Sequence, residues 1–258
     1  MKLALDKTGT LRAWLELLRV PNLLTVPGDV LAGWLLAAGG HWHPVLLSTL
    51  AVSLGLYAFG LISNDIVDFK TDTRERPQRP LPSKRVKPVT AVVVTLTLGC
   101  GAVLLAWLTG GHAFDCAVLL FLVITLYNTM MKDSALFGPL TLGLCRGLNL
   151  LLGAAASIPV ASDGLHGVPL ANTVGVGAAA GLLLLYIAGV SALARREVET
   201  GRAHLIGALL RGLLPLQAVF CVCASLFLGA GPLGWGVAAA LLALWPAAGW
   251  LGKRFYMS

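Results

Sequence analysis

Charge is scarce in this chain. Aspartate, glutamate, lysine and arginine together make up 12% of its 258 residues, where a soluble domain typically carries about 25%. That leaves too little polar surface to coat a water-soluble globule and excludes one. The acidic side is thinner still, since no aspartate follows Asp163. Lysine and arginine are missing from alternate connections, such as GGHWH at 39–43 and SDGLHG at 162–167. The five cysteines (Cys100, Cys116, Cys145, Cys221, Cys223) fall inside apolar runs without zinc-ligand spacing, so they are read as small packing residues. A net charge of +7 comes without an aromatic-rich basic groove, so nucleic acid is not an expected partner. Glu16 and Arg19 interrupt the first apolar stretch, and no cleavable signal peptide is expected there.

Apolar sequence is what the chain has in quantity: 57% of residues are hydrophobic and the mean hydropathy is +0.82. Eight apolar segments stand out, at about 12–39, 44–69, 88–110, 113–131, 136–158, 170–195, 203–229 and 232–252. Roughly 20 apolar residues suffice for a helix to cross a bilayer. The fold expected is an all-α, polytopic transmembrane bundle of about eight helices, forming a single domain over residues 1–258 around a central cavity. With a cytoplasmic N-terminus, all 19 lysines and arginines fall on the cytoplasmic side or in the adjoining helix ends, as the positive-inside rule requires. The chain is therefore expected in a bacterial inner (cytoplasmic) membrane, with the lipid bilayer as partner and charged cytoplasmic loops capping the cavity.

One stretch breaks the apolar pattern, SNDIVDFKTDTRERPQRPLPSKRVK from Ser63 to Lys87. On a helix its spacing puts Asn64, Asp65, Asp68 and Asp72 on one stripe. Three carboxylates at the end of a membrane helix repel one another, and a divalent cation relieves that. Mg²⁺ takes one or two carboxylates plus substrate phosphates, so the stripe can hold a diphosphate through metal.

Polar residues inside membrane helices are costly and count as site candidates. The first segment carries Arg19, Asn22 and Asp29, with Pro21 and Pro27 placed to kink or unwind it. Arg146 and Asn149 lie one turn apart in the fifth segment; contact with phosphate and a bridge to an acidic residue are both open to Arg146. Arg195 and Arg196 end the sixth segment and can bind a diphosphate directly through bidentate guanidinium contacts. Glu197 and Glu199 follow as the nearest acidic residues, and Gln217 is read as an interhelical hydrogen bond.

Asn64-Asp65-x-x-Asp68-x-x-x-Asp72 followed by Arg79-Pro80-Leu81-Pro82-Ser83 resembles the first aspartate-rich motif of the UbiA superfamily of membrane prenyltransferases, except that Lys84 stands where that family usually has glycine. Arg19-x-Pro21-Asn22 resembles the family's first-helix Arg/Pro/Asn cluster, and Tyr127 with Lys132 its Tyr-x(4)-Lys element. The second aspartate-rich motif is absent, and only Glu197 and Glu199 stand near its place. The segments YNTMMK and LGLCRGLNLLLG are most similar to the divergent EboC-like branch.

The resemblance implies Mg²⁺-dependent transfer of a prenyl group from a polyprenyl diphosphate to a small lipophilic or aromatic acceptor within the membrane. It implies Asn64, Asp65, Asp68 and Asp72 as metal ligands, supplemented by Glu197 and Glu199. Asn22, Asn64, Arg79, Lys132, Arg146, Asn149, Arg195 and Arg196 would meet the diphosphate, with Asp65, Asp68, Tyr127 and Lys132 at the chemistry. The rival reading is a non-catalytic protein of the same fold that binds or carries a prenylated or lipophilic precursor.

Overall fold

In a computed structural model, backbone is described for residues 7–161, 170–197 and 203–255, and side chains for 9–158, 172–195 and 205–252. The described residues form helices and connecting turns throughout. Three helical pieces open the chain: α1 (Lys7–Leu17), α2 (Val20–Leu23) and α3 (Val26–Ala38). They break because Pro21 and Pro27 lack the N–H that would continue the ladder. Arg19, between α1 and α2, takes a left-handed conformation with φ 46°. The single first segment expected from sequence is thus divided, with its prolines at the second and third pieces.

The remaining elements are α4 (Val45–Val67), α5 (Phe69–Glu75), α6 (Pro88–Thr109), α7 (Gly111–Leu126), a π-helical turn (Tyr127–Met131), α8 (Phe137–Ala161), α9 (Leu170–Glu197), α10 (Ala203–Arg211), α11 (Leu213–Phe227) and α12 (Gly231–Phe255). Among the described residues, eight helical spans are long and apolar enough to cross a membrane, from Val20–Ala38 to Gly231–Gly252. They match the eight segments read from sequence, and the chain is an integral membrane protein.

Burial separates the central helices from the outer ones. Two-thirds of the spans Val20–Ala38 and Phe137–Ile158 is buried (67% each), against 22% of Gly231–Gly252. Helices α3 and α8 therefore form the axis. They contribute to both large cores, one shared with α9, α11 and α12 and the other with α4, α6 and α7. Glycine permits their approach: a Cβ on Gly33 would collide with the Leu150 carbonyl, and one on Gly153 with the Val30 carbonyl. In a bilayer, where hydrophobicity does not drive helices together, such backbone contact does. A third, smaller core of Ala13, Leu17, Ile62, Leu81, Val86 and Ala91 pins the loop after α5 against α1, α4 and α6, and this fixes Arg79.

Candidate active site

The acidic stretch sits where α4 gives way to α5. Asp68 forms the junction, with its N–H on the Asn64 carbonyl at 2.9 Å, and the Asp72 N–H returns to the Asp68 carbonyl at 2.8 Å. The helical ladder nearly continues, so the expected stripe holds, but its carboxylates do not stand free. Arg19 Nη2 lies 3.3 Å from Asp65 Oδ1; Arg79 Nη1 lies 2.7 Å from Asp72 Oδ2 and 3.9 Å from Asp65 Oδ1. Lys132 Nζ pairs with Asp68 Oδ1. The repulsion anticipated from sequence is relieved by three cations from three elements.

Asn64, Asp65 and Asp68 are the side chains of this cluster that could hold a divalent cation. Asn64 Nδ2 donates towards Asp65 Oδ1 (3.5 Å) and Asp68 Oδ2 (3.2 Å), which draws the three side chains together. Such hard oxygen donors suit Mg²⁺. Asp72, buried on Arg79, is turned to a different task. Among the described residues no three His, Cys, Asp or Glu side chains gather around one point. The cluster therefore needs the amide to complete it.

Lys132 reaches Asp68 because of the π turn. In an α-helix, residues five apart differ by about 140° around the axis, from 100° per residue. An i→i+5 turn brings them back towards one side, and here the Lys132 N–H meets the Tyr127 carbonyl at 3.0 Å. Tyr127 lines the cavity below while Lys132 meets the motif. Asn128 secures the turn: it is buried, and its Nδ2 donates to the Gly60 carbonyl at 3.0 Å and to Ser63 Oγ at 2.7 Å, both on α4. Sequence reasoning passed over Asn128.

Beneath the charged cluster is a mostly apolar cavity of about 200 Å³. Asn64, Tyr127 and Arg19 line it near the charges; Tyr57, Leu120 and Ile124 are among its walls. Its polar lining includes Ser53, Arg146 and Asn149, which belong to a buried network. Arg146 Nε lies 3.0 Å from Asp29 Oδ2, and its Nη2 donates to the Thr25 carbonyl at 2.9 Å. Asn149 Nδ2 donates to Asp29 Oδ2 (3.0 Å), and its Oδ1 accepts from Ser53 Oγ (2.6 Å). Gln217 Nε2 donates to Asp29 Oδ1 (2.6 Å) and to the Thr25 carbonyl (2.7 Å). Of the two roles open to Arg146, the structure adopts the bridge to an acid, and its partner is Asp29. Arg146 and Gln217 thus both donate to the carbonyl of Thr25, the residue at the start of α3.

The other expected residues are dispersed. Asn22 lies in α2, half-buried, and is not among the residues lining this cavity; its carbonyl accepts the Thr25 hydroxyl at 2.7 Å. Arg195 Nη1 meets the Asp133 carbonyl at 3.3 Å and its Nη2 meets the Lys132 carbonyl, capping the end of the π turn. The side chains of Arg196 and Glu197, and all of Glu199, lie outside the described residues. Ser53 and Thr25 were also missed, because a lone hydroxyl in a membrane helix carries no sequence signal of its partner. The five cysteines are free thiols.

The site is thus that of a membrane helical bundle in which paired carboxylates and cations cap an apolar cavity. Residues 29–257 match the UbiA prenyltransferase family, and the chain belongs to it. Among curated relatives, it is 30% identical over 149 residues to digeranylgeranylglyceryl phosphate synthase of Sulfurisphaera tokodaii, and 34% over 149 residues to that of Thermococcus sibiricus. Each match covers 57% of this chain and 53% of the relative, so the chain spans about half the length of the curated relatives it matches.

Solved structures share the fold. One reported for digeranylgeranylglyceryl phosphate synthase in membranes gives a TM-score of 0.60 at 21% identity, covering 95% of this chain and 93% of that one. A UbiA homologue from Archaeoglobus fulgidus bound to GPP and Mg²⁺ gives 0.56 at 14%, covering 94% and 87%.

Proposed function

We propose that the chain transfers a prenyl group from a polyprenyl diphosphate to a lipophilic or aromatic acceptor within the membrane, acting as one UbiA-type domain. The observation that carries this is the convergence of Asn64, Asp65 and Asp68, with Arg19, Arg79 and Lys132, over an apolar cavity lined by Tyr127. The neighbour bound to GPP and Mg²⁺ shares this fold and supports the choice of donor and cofactor. Asn64, Asp65 and Asp68 would hold Mg²⁺, which when bound neutralises diphosphate charge.

Lys132 and Arg79 exchange their carboxylate partners for diphosphate oxygens and stabilise the charge that grows on the leaving group. The C1–O bond breaks with its electron pair leaving on pyrophosphate. A nucleophilic atom of the acceptor then gives a pair to C1 and loses its proton to the departing pyrophosphate. Tyr127 offers an aromatic face to the allylic cation, and the apolar walls keep water from it. The cavity's open, charged end faces the cytoplasm in this reading, following the distribution of lysine and arginine.

The carrier reading has one observation in its favour: every aspartate of the motif already has a cationic partner. One experiment separates the two. Purified protein in nanodiscs is titrated with geranyl and farnesyl diphosphates with and without Mg²⁺, following thermal stabilisation and pyrophosphate release. Transfer is supported by Mg²⁺-dependent release that disappears in Asp68→Ala. Stabilisation without release across lipophilic and aromatic acceptors favours the carrier. Neither signal overturns both.

A further inference from the structure

The cavity beneath the motif is open at one end and closed at the other. Along α4 its lining residues Asn64, Leu61, Gly60, Tyr57 and Ser53 fall on one helix face, and from Asn64 to Ser53 they span about 16 Å. At the charged end Asn64 and Tyr127 are half-buried, whereas Ser53 and Asn149 at the far end are 1% and 5% exposed. Ser53, Asn149 and Arg146 make the floor, and their bonds run to one another and to Asp29. One turn past Asn149, Gly153 meets the Val30 carbonyl with no room for a Cβ. A hydrocarbon chain pushed through this floor would part those bonds and strand buried polar groups, which is costly. The slot is also small. An apolar cavity of about 150 Å³ holds one benzene molecule, and on that scale about 200 Å³ holds roughly eight carbon atoms.

We propose that this slot gauges the length of the donor: it accepts one or two isoprene units, as dimethylallyl or geranyl, and excludes farnesyl and longer chains. The bonded floor of Ser53, Asn149 and Arg146 is the stop. This rests on the proposed role of the cavity as the site of the prenyl donor. With the diphosphate at the aspartate motif, C1 sits at the mouth beside Tyr127 and the far end of a geranyl chain reaches the floor. Two wall residues set the gauge. Cys145 lies on α8 one turn before Asn149, and Tyr57 lies on α4 one turn after Ser53. A larger side chain at Cys145 shortens the slot, and a smaller one at Tyr57 enlarges it.

The test uses dimethylallyl, geranyl, farnesyl and geranylgeranyl thiodiphosphates, slowly reacting analogues of the donor. Each is titrated with Mg²⁺ against the full chain in nanodiscs, reading the concentration dependence of thermal stabilisation. Longer chains partition more into lipid, so each variant is compared with wild type at the same chain length. The expected result for wild type is that geranyl acts at the lowest concentration and that farnesyl and geranylgeranyl gain nothing over it. Cys145→Phe weakens geranyl about tenfold and leaves dimethylallyl within about twofold, the discrimination a change of pocket size gives. Tyr57→Ala tightens farnesyl about tenfold. A gain in one variant beside a loss in the other cannot come from misfolding.

The gauge is overturned if affinity for wild type keeps climbing to geranylgeranyl, because the chain then leaves the cavity sideways into lipid. It is also overturned if the two variants leave the order of chain lengths unchanged. Failure of the donor reading looks different: no thiodiphosphate of any length then stabilises the protein more than inorganic pyrophosphate with Mg²⁺ does, and the gauge falls with it.

Discussion

Lys132 closes on the Asp68 carboxylate from one end of a π turn whose other end carries Tyr127. An insertion tests whether that spacing matters. Inserting an alanine after Thr129, which is exposed, adds one residue between Tyr127 and Lys132 and turns Lys132 by about 100° relative to Tyr127. Pyrophosphate release is expected to fall at least about tenfold, the loss produced by about 1.4 kcal/mol of transition-state stabilisation. Asn128→Ala, which strips the Gly60 carbonyl and Ser63 hydroxyl of their donor, should lower the melting temperature and reduce release in the same assay. Unchanged release in both variants would make the turn incidental.

On the proposed reading, Lys132 and a metal ion would compete for Asp68. Lys132→Ala should therefore tighten Mn²⁺ binding to donor-free protein several-fold, as read by electron paramagnetic resonance, while slowing pyrophosphate release. Paired opposite effects distinguish a residue that holds the leaving group from one that only supports the fold. A uniform loss of both would remove Lys132 from the chemistry.

Lys84 occupies a left-handed position, with φ 60°, where the related motif has glycine. A residue with a Cβ is disfavoured there by about 1–2 kcal/mol, partly offset because glycine is freer in the unfolded chain. Lys84→Gly should stabilise the protein by about 1 kcal/mol, raising the melting temperature by about 2–4 °C for a chain of this size. Lys84 is exposed and makes no part of the cavity, so activity should not move.

Asp29 is fully buried at 0% exposure and shares Arg146, Asn149 and Gln217. Asp29→Ala leaves the Arg146 charge buried without its partner and should cost about 3–5 kcal/mol. Replacing the pair together, Asp29→Leu with Arg146→Leu, should cost clearly less, since no lone charge remains. Thermal unfolding in one detergent measures both. Equal losses would show that the network's hydrogen bonds, rather than its charge pair, hold the helices.

The fold was legible because a helix crossing a bilayer must be long and apolar, and that signal does not depend on neighbours. The acidic stripe was legible for the same local reason: Asn64, Asp65, Asp68 and Asp72 keep helical spacing even through the break at Asp68. What sequence could not supply was partnership. Nothing around Arg146 names Asp29, 117 residues earlier, and nothing around Asp68 names Lys132, 64 residues later. The π turn was hidden because YNTMM has no distinctive residue type. Its one trace is the spacing of Tyr127 and Lys132, which an ordinary helix would set on different sides. Asn128 was missed because a polar residue near a helix end reads as solvated until α4 is seen against it.

The cations on the motif have a consequence for the protein at rest. A cluster of bare carboxylates at a membrane surface would splay apart, or scavenge whatever divalent ion is most abundant. With Arg19, Arg79 and Lys132 seated on them, the resting pocket is close to electroneutral and keeps its shape without metal. If the proposed reading holds, loading is an exchange of guests, in which a diphosphate and its counterion would arrive together as an electrically matched pair while the side chains trade partners.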